Sequence, residues 1–393
     1  MSGGLLVYFA GSYYDGSVAG TDRHVADRLA AEHDVLYVNP PVAVAGRRPR
    51  PDLAATRERP PLDRVGPRLT LLTFRVPPAR SRPGVYQLSV ALTRRAVRRA
   101  LRQMRRPVDA VIVANYDNVL GTIKNARTLF YATDDIVAGA RMMGLPVRTM
   151  IRAEARQLRK ADIVAVVSPA LRDRFDALGR RAELVPNGCD VAAYAEVDSA
   201  PPPPDVAFTA GDGPVAGFVG NINQRIDIAV LEAVAANGPL LLVGPRHPDF
   251  APGRFEALVG LPNVHWVGHK AFEELPPYLR LIDVGLTPYA DTAFNRASFP
   301  LKTLEYLAAG RAVVSSELPA TALLRDEDDG RELIRVAGSP EGFVKAVAEA
   351  AREPRTDDLI ARRRAFAARH DWSQRALALA GLLDIEMREV SRA

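Results

Sequence analysis

Short apolar runs alternate with helix-patterned segments along almost the whole chain, and this alternation most narrows the folds open to it. Leu5–Ala10 reads as a strand, Arg23–Glu32 as a helix and Asp34–Val38 as a second strand. A strand–helix–strand rhythm of this kind builds a parallel, doubly wound α/β sheet. Residues 40–68 are rich in Pro and Arg and read as a long surface loop. The rhythm resumes with strands at Leu69–Arg75, Ala110–Ala114, Thr128–Ala132, Ile163–Val167 and Glu183–Val185. Val147–Ala161 and Ser168–Leu178 read as helices, the second capped by Ser168. The segment Ser199-Ala-Pro-Pro-Pro-Pro-Asp205 then breaks the pattern. Consecutive prolines continue neither a helix nor a central strand, so a stiff boundary segment is expected there. A second series follows, with strands at Val215–Val219, Leu240–Val243, His265–Val267 and Val284–Thr287. Ile226–Ala236, Phe272–Leu281, Phe343–Arg352, Asp357–His370 and Gln374–Val390 read as its helices.

The 393 residues exceed what one core usually supports, so two domains are expected. With 48% hydrophobic and 25% charged residues, the composition is that of an ordinary soluble globular protein. The single cysteine, Cys189, excludes a disulfide framework and a cysteine-built metal site, and suits a reducing cytoplasm. The six His form no H-E-x-x-H pattern. Leu5–Ala10 is too short to span a membrane and lacks the basic start of a signal peptide. A cytoplasmic location is expected.

The net charge of +6 is compatible with nucleic acid, a membrane surface or an anionic small molecule. It is concentrated in Thr93–Arg106, where Arg94, Arg95, Arg98, Arg99, Arg102, Arg105 and Arg106 accompany an apolar face of Val90, Val97, Leu101 and Met104. This is a basic amphipathic helix. Either it faces the core with a solvated basic side, or it touches an anionic bilayer. The arginines are spread around much of the helix, which favours the first reading and leaves at most a weak peripheral membrane contact. No nucleic-acid-binding signature accompanies them.

The densest local chemistry lies in Ser298-Phe-Pro-Leu-Lys302-Thr-Leu-Glu305-Tyr-Leu-Ala-Ala-Gly310-Arg-Ala-Val-Val-Ser315. It reads as a loop, a helix with Pro300 in its first turn, a glycine stop and a buried strand. The helix start offers unpaired N–H groups and a positive dipole end beside Lys302, a place for a phosphate. Glu305, one turn on, could accept hydrogen bonds from ribose hydroxyls. An ordinary βα unit with a solvated Lys and Glu would read the same way.

The stretch does not stand alone. Tyr131-Ala-Thr-Asp134-Asp135, Val185-Pro-Asn-Gly-Cys-Asp190 and Gly217-Phe-Val-Gly220-Asn-Ile-Asn-Gln-Arg225 precede it in order. Together these segments resemble the retaining glycosyltransferases of the GT-B fold, the large family 4 group. The resemblance covers nearly the whole chain. It implies two Rossmann-like doubly wound domains facing a cleft. Residues 1–198 would form the acceptor side, completed by a returning helix at 374–393; 199–212 would link it to the donor domain, 213–373. It implies a sugar moved from a nucleoside diphosphate sugar (UDP, GDP or dTDP) to a small-molecule or glycan acceptor, in secondary-metabolite or cell-envelope glycan synthesis. No metal and no other cofactor is implied.

On this resemblance the donor site comprises Gly220, Asn221, Arg225, Arg246, His269, Ser298, Leu301, Lys302 and Glu305. Arg225 and Lys302 would stabilise the departing diphosphate, with Asp134 as a further catalytic candidate. Tyr14, Asp22, Asn115, Tyr116, Asp117 and Asp135 would form the acceptor side. Asp134 and Asp135 could equally cap the helix that follows. The sequence departs from the family at two points. Asn221 stands where an arginine is expected after the glycine, and Ala297 stands where the first glutamate of an acidic pair is expected, with Asn295 and Ser298 as nearby polar substitutes. Two rival readings remain: a nucleotide-sugar epimerase of the same fold, which needs no acceptor, and a non-catalytic protein that binds a nucleotide or a lipid surface. The second lacks a G-x-G-x-x-G after the first strand.

Overall fold

A computed structural model describes residues 4–16, 20–44, 53–78, 82–206, 208 and 213–387. The chain divides into two compact units. One holds residues 1–167, 171–186 and 372–393, the other 168–170 and 187–371. The change of unit falls between Pro186 and Asn187, earlier than the proline run expected to mark it.

The first unit contains β1 (Leu5–Phe9), α1 (Thr21–Ala30), β2 (Asp34–Val38), β3 (Val42–Ala43), α2 (Ala54–Glu58), β4 (Leu62–Arg64), β5 (Leu69–Leu72) and β6 (Arg75–Val76). After these come α3 (Pro83–Met104), β7 (Val108–Val113), β8 (Arg127–Ala132), α4 (Ile136–Gly139), α5 (Val147–Lys160), β9 (Ile163–Val166), α6 (Pro169–Ala177) and β10 (Glu183–Leu184). Its main sheet runs β10-β9-β8-β7-β1-β2-β5-β4, and β3 pairs with β6 in a separate ribbon. Every pairing of the main sheet is parallel except β4 with β5. Leu5 to Phe9 are all buried, as a strand covered on both faces requires. The loop expected over 40–68 is therefore corrected: among the described residues it carries β3, α2 and β4. Proline and arginine density masked short edge elements there.

The second unit contains β11 (Ala216–Val219), α7 (Ile228–Ala235), β12 (Leu240–Val243), α8 (Arg254–Val259), β13 (Val264–Trp266), α9 (Leu275–Leu281), β14 (Val284–Thr287), α10 (Ala293–Ala297) and α11 (Leu301–Ala308). It continues through β15 (Ala312–Ser316), α12 (Pro319–Arg325), α13 (Gly330–Leu333), β16 (Ile334–Ala337), α14 (Pro340–Arg352) and α15 (Asp357–Ala368). Its sheet is wholly parallel, in the order β13-β12-β11-β14-β15-β16. Phe218, Leu240, Leu242, Leu286 and Val314 meet Leu231, Phe255 and Phe343 in one core. β16 was not anticipated from the sequence. The last helix, α16 (Trp372–Leu382), belongs to the first unit, where Trp372 stacks on His24 at 5.1 Å. The helix expected to run to Val390 ends at Leu382: residues 383–387 are turn and irregular chain, and 388–390 lie outside the described residues.

In each sheet the chain first winds outward on one side of its first strand and later on the other. The points of reversal lie between β1 and β7 and between β11 and β14. Open α/β sheets bind ligands beyond the strand ends at such points.

Candidate active site

In the second unit the reversal point brings Gly220, at the end of β11, beside α11. Gly220 has φ +156° and Gly244, at the end of β12, has φ +139°. A Cβ on Gly244 would stand 1.9 Å from the Gly220 carbonyl oxygen, so the two loops can nest only with glycine at that position. A Cβ on Gly220 would lie 3.5 Å from Lys302 Cε, which places the lysine stem directly over this backbone. The N–H of Asn221 has no acceptor among the described residues, while its neighbours Gly220 and Ile222 donate to Val243 and Pro245.

Helix α11 is seated by a buried polar network. Thr287 Oγ1 donates to Ser315 Oγ at 2.6 Å, and Ser315 Oγ lies 3.0 Å from Thr303 Oγ1. Tyr306 Oη accepts from the Val219 N–H at 2.8 Å, tying the helix to the strand that carries Gly220. The Tyr306 ring fits only because residue 285 is glycine; a Cβ there would meet the ring at 2.2 Å. The helix starts at Leu301, with Pro300 as its N-cap rather than in its first turn. Leu301 is half-buried at that start.

Lys302 Nζ donates to Glu305 Oε2 at 2.6 Å, and both side chains are about one-fifth exposed (21% and 18%). Burial opposes the ammonium charge, the Glu305 carboxylate supports it, and the balance lifts the lysine above its ordinary value. Lys302 is thus a cation at neutral pH. Tyr194 shares Glu305; burial, and then that carboxylate, push its phenol well up. Arg225 Nε donates to Asn295 Oδ1 at 2.9 Å, and its guanidinium lies 4.9 Å from the Phe294 ring and 5.1 Å from Tyr289. It has no carboxylate partner among the described residues. Asn295 is 2% exposed and also donates to the carbonyls of Arg225 and Ala290. Its amide therefore holds Arg225 in place rather than standing in for the missing glutamate. The unit so assembles two cations, Lys302 and Arg225, with a glycine loop.

Other residues read from the sequence are engaged elsewhere. Arg246 pairs with Glu256, donates to the Phe250 carbonyl at 2.9 Å and covers the Phe255 ring at 4.7 Å. Ser298 is buried and donates to the Phe294 carbonyl at 2.9 Å. His269 is exposed beyond β13. Arg246 and Ser298 thus have structural tasks in this unit.

In the first unit the reversal point joins Gly11 to Asn115. Asn115 Nδ2 donates to the Ala10 carbonyl at 2.9 Å, and its Oδ1 accepts from Asp117 N at 3.0 Å. Asp22 is 5% exposed and fills the Gly11 loop from within. Its carboxylate accepts from Gly11 N and Ser12 N, both at 2.8 Å, and from Ser12 Oγ and Tyr8 Oη, both at 2.9 Å. Burial raises its pKa against those donors. Asp22 thus shapes the loop instead of presenting itself to a ligand. Tyr14 donates to Asp27 Oδ1 at 2.8 Å, and burial followed by that bond pushes its phenol up to about 12. Tyr116 packs edge-on to Phe130 at 5.4 Å and burial raises its pKa. Asp135 caps α4 by accepting from Ala138 N at 2.9 Å, and its carboxylate lies 3.0 Å from Arg174 Nε. Arg174 also grips the buried Glu154 at both oxygens. The capping alternative therefore holds for Asp135, whereas Asp134 is half-buried at the turn.

Tyr194, Tyr289 and Tyr306 were missed by sequence reasoning. Gly285 inside an otherwise apolar strand is the signal that a bulky side chain approaches closely, and it would have located Tyr306.

Residues 213–353 match the family model described as glycosyl transferases group 1. The Bacillus subtilis (strain 168) protein TuaH, which carries the name of a teichuronic acid biosynthesis glycosyltransferase, is 36% identical over 183 residues, 44% of this chain and 45% of that protein. A phosphatidyl-myo-inositol mannosyltransferase of Propionibacterium freudenreichii is 28% identical over 256 residues, 62% of each chain. The chain thus spans about half the length of TuaH. Sucrose-phosphate synthase of Thermosynechococcus elongatus superposes with a TM-score of 0.72 at 17% identity, covering 97% of this chain and 98% of that one. HepE of Anabaena, solved with UDP and glucose, superposes with a TM-score of 0.67 at 14% identity, covering 96% and 99%. The fold is GT-B, with two Rossmann-like α/β domains, and the resemblance to group 1 glycosyltransferases holds over the second unit.

Proposed function

We propose that this GT-B chain is a glycosyltransferase that moves a sugar from a nucleoside diphosphate sugar to a hydroxyl of a cell-envelope glycan or its precursor, with retention at the anomeric carbon. One observation carries the reading: the half-buried Lys302 cation lies over the Gly220 backbone at a reversal point of the second sheet. A diphosphate placed there meets Lys302, the guanidinium of Arg225, the Asn221 N–H and the first turn of α11.

The chemistry follows from those charges. The bond between the anomeric carbon and the diphosphate oxygen breaks, the bond to the acceptor oxygen forms, and the electron pair leaves with the diphosphate. Lys302 and Arg225 stabilise that developing charge without having to reorganise. Lys302 is paired with Glu305; with diphosphate bound, the lysine gains a second anionic partner and Glu305 retains oxygen sites for ribose hydroxyls. The acceptor proton passes to the departing phosphate. TuaH supports the envelope-glycan assignment.

The test is transfer assayed with UDP-, GDP- and dTDP-sugars and envelope-glycan acceptors, with product configuration read by NMR. The expected result is donor consumption that depends on acceptor and a product with the donor's anomeric configuration. Isomerised donor without acceptor would replace this reading with an epimerase. An inverted product would remove retention.

A further inference from the structure

The first unit holds a cavity of about 720 Å³ between α3, the β3/β6 ribbon and the α2–β5 segment. Its size is that of a small-molecule site, roughly 300–1,000 Å³. Arg57, Arg59, Arg75, Arg95 and Arg99 line it, and among the described residues no acidic side chain does. Arg59 is neutralised by Asp15 and Asp63. The other four have no carboxylate partner among the described residues, although Arg75 donates to the Arg57 carbonyl at 3.3 Å. Between the arginines the wall is apolar, formed by Leu72, Phe74, Leu92, Ala96 and Ala100.

Helix α3 explains how one side chain set serves two faces. Of the apolar face read from the sequence, Val90 and Val97 are buried, whereas Leu101 and Met104 are half-buried. Leu92, Arg95, Ala96, Arg99 and Gln103 form an adjoining stripe at i, i+3, i+4, i+7 and i+11 spacing, and that stripe faces the cavity. Arg95, Arg98, Arg99 and Arg102 are all exposed, and of these four only Arg95 and Arg99 line the cavity.

We propose that this cavity binds a phosphorylated lipid, the arginines holding its phosphate head and the apolar wall its hydrocarbon chain. Unpaired arginines crowded in one concavity repel each other, and a phosphate relieves that repulsion with charge-assisted hydrogen bonds. A free sugar phosphate would use the head contacts alone and leave the half-buried Phe74 and Leu92 in water. The wall therefore favours an amphiphile over a soluble anion.

The test is isothermal titration of the full chain with dodecyl phosphate below its micelle concentration, beside inorganic phosphate and dodecyl maltoside. Dodecyl phosphate should bind at least tenfold more tightly than either of the others. The double variant Arg95→Glu/Arg99→Glu should weaken it tenfold or more, and Arg98→Glu/Arg102→Glu by less than twofold. Ala96→Trp, which fills the cavity without changing charge, should weaken dodecyl phosphate while its thermal unfolding stays near that of the parent. Equal losses in the two double variants would overturn the site in favour of diffuse helix charge. Equal binding of inorganic phosphate, or none of dodecyl phosphate, would overturn the lipid assignment.

Discussion

The two units solve the same loop differently. Each places a glycine one or two residues past its first strand, at a reversal point of the sheet. In the first unit the Gly11 and Ser12 N–H groups are already satisfied by an internal anion, the Asp22 carboxylate, at 2.8 Å. In the second, among the described residues no acidic side chain fills the Gly220 loop; Lys302 lies over it and Arg225 is held by the Asn295 amide. A loop that carries its own carboxylate is closed to an incoming phosphate, and a loop lined by cations is open to one. The same topology therefore yields a shaped wall in one unit and an anion site in the other.

The strongest way to break this comparison is Lys302→Ala. Loss of a preorganised charge at a leaving group lowers turnover by about 100-fold or more. Steady-state kinetics with the preferred donor check this. Glu305→Ala should act differently, raising the donor KM with a smaller change in kcat, because ribose contacts are alike in ground and transition states. Equal changes in both constants in both variants would dissolve the assigned roles.

Gly244→Ala comes next. At φ +139°, with the Gly220 carbonyl in the way, the added methyl must displace the loop. Strain of about 1–3 kcal/mol is expected, together with loss of nucleoside diphosphate binding. Thermal unfolding with and without UDP measures both effects. An unchanged ligand-induced shift would show that the loop does not contact the donor.

Asp22→Ala sharpens the other half. It leaves Gly11 N, Ser12 N and the Tyr8 hydroxyl without their acceptor, so stability should fall by about 1–3 kcal/mol. The vacated N–H groups should then gain an anion. Added phosphate should stabilise the variant more than the parent, as followed by thermal unfolding. The pH dependence has a defined sign. Burial raises the folded pKa of Asp22 above 3.8, so the folded protein holds its proton more tightly than the unfolded chain. The Asp22 contribution to stability therefore declines as pH rises through 3.8 toward the raised value. The stability gap between parent and Asp22→Ala should narrow over that window.

Arg246→Ala should have the smallest effect. Its guanidinium serves Glu256, Phe250 and Phe255, so donor KM should change by less than about twofold while stability falls by about 1 kcal/mol. A large rise in KM would return Arg246 to the donor site.

Much of this arrangement was legible in the sequence. Buried parallel strands write themselves as apolar runs, which is why β1, β2, β11, β12 and β14 lie where the pattern puts them. Lys302 and Glu305 share one motif at a helix start and Gly220 stands in another at a strand end, so each is organised locally. Partnership across long sequence distances was not legible. That Asn295 holds Arg225, that Asp22 fills the Gly11 loop and that Tyr306 reaches Val219 depend on packing between elements far apart in the chain. Arg246 shows the same limit: its position at a strand end was correct, but its choice of Glu256 over a ligand depends on how α8 begins. In α3 the sequence pattern identified the buried face, whereas which of its arginines line the cavity depends on the neighbouring ribbon.

The central claim is that nucleoside diphosphate binds at the Gly220 loop and the start of α11, and not at the Gly11 loop. Hydrogen exchange with and without saturating UDP, GDP or dTDP tests it most directly, because backbone N–H groups report on both loops in one experiment. The account predicts slowed exchange over residues 220–225 and 301–305 with the preferred nucleotide, and little change over residues 11–16. Protection of residues 11–16 with none over 220–225 and 301–305 would contradict it.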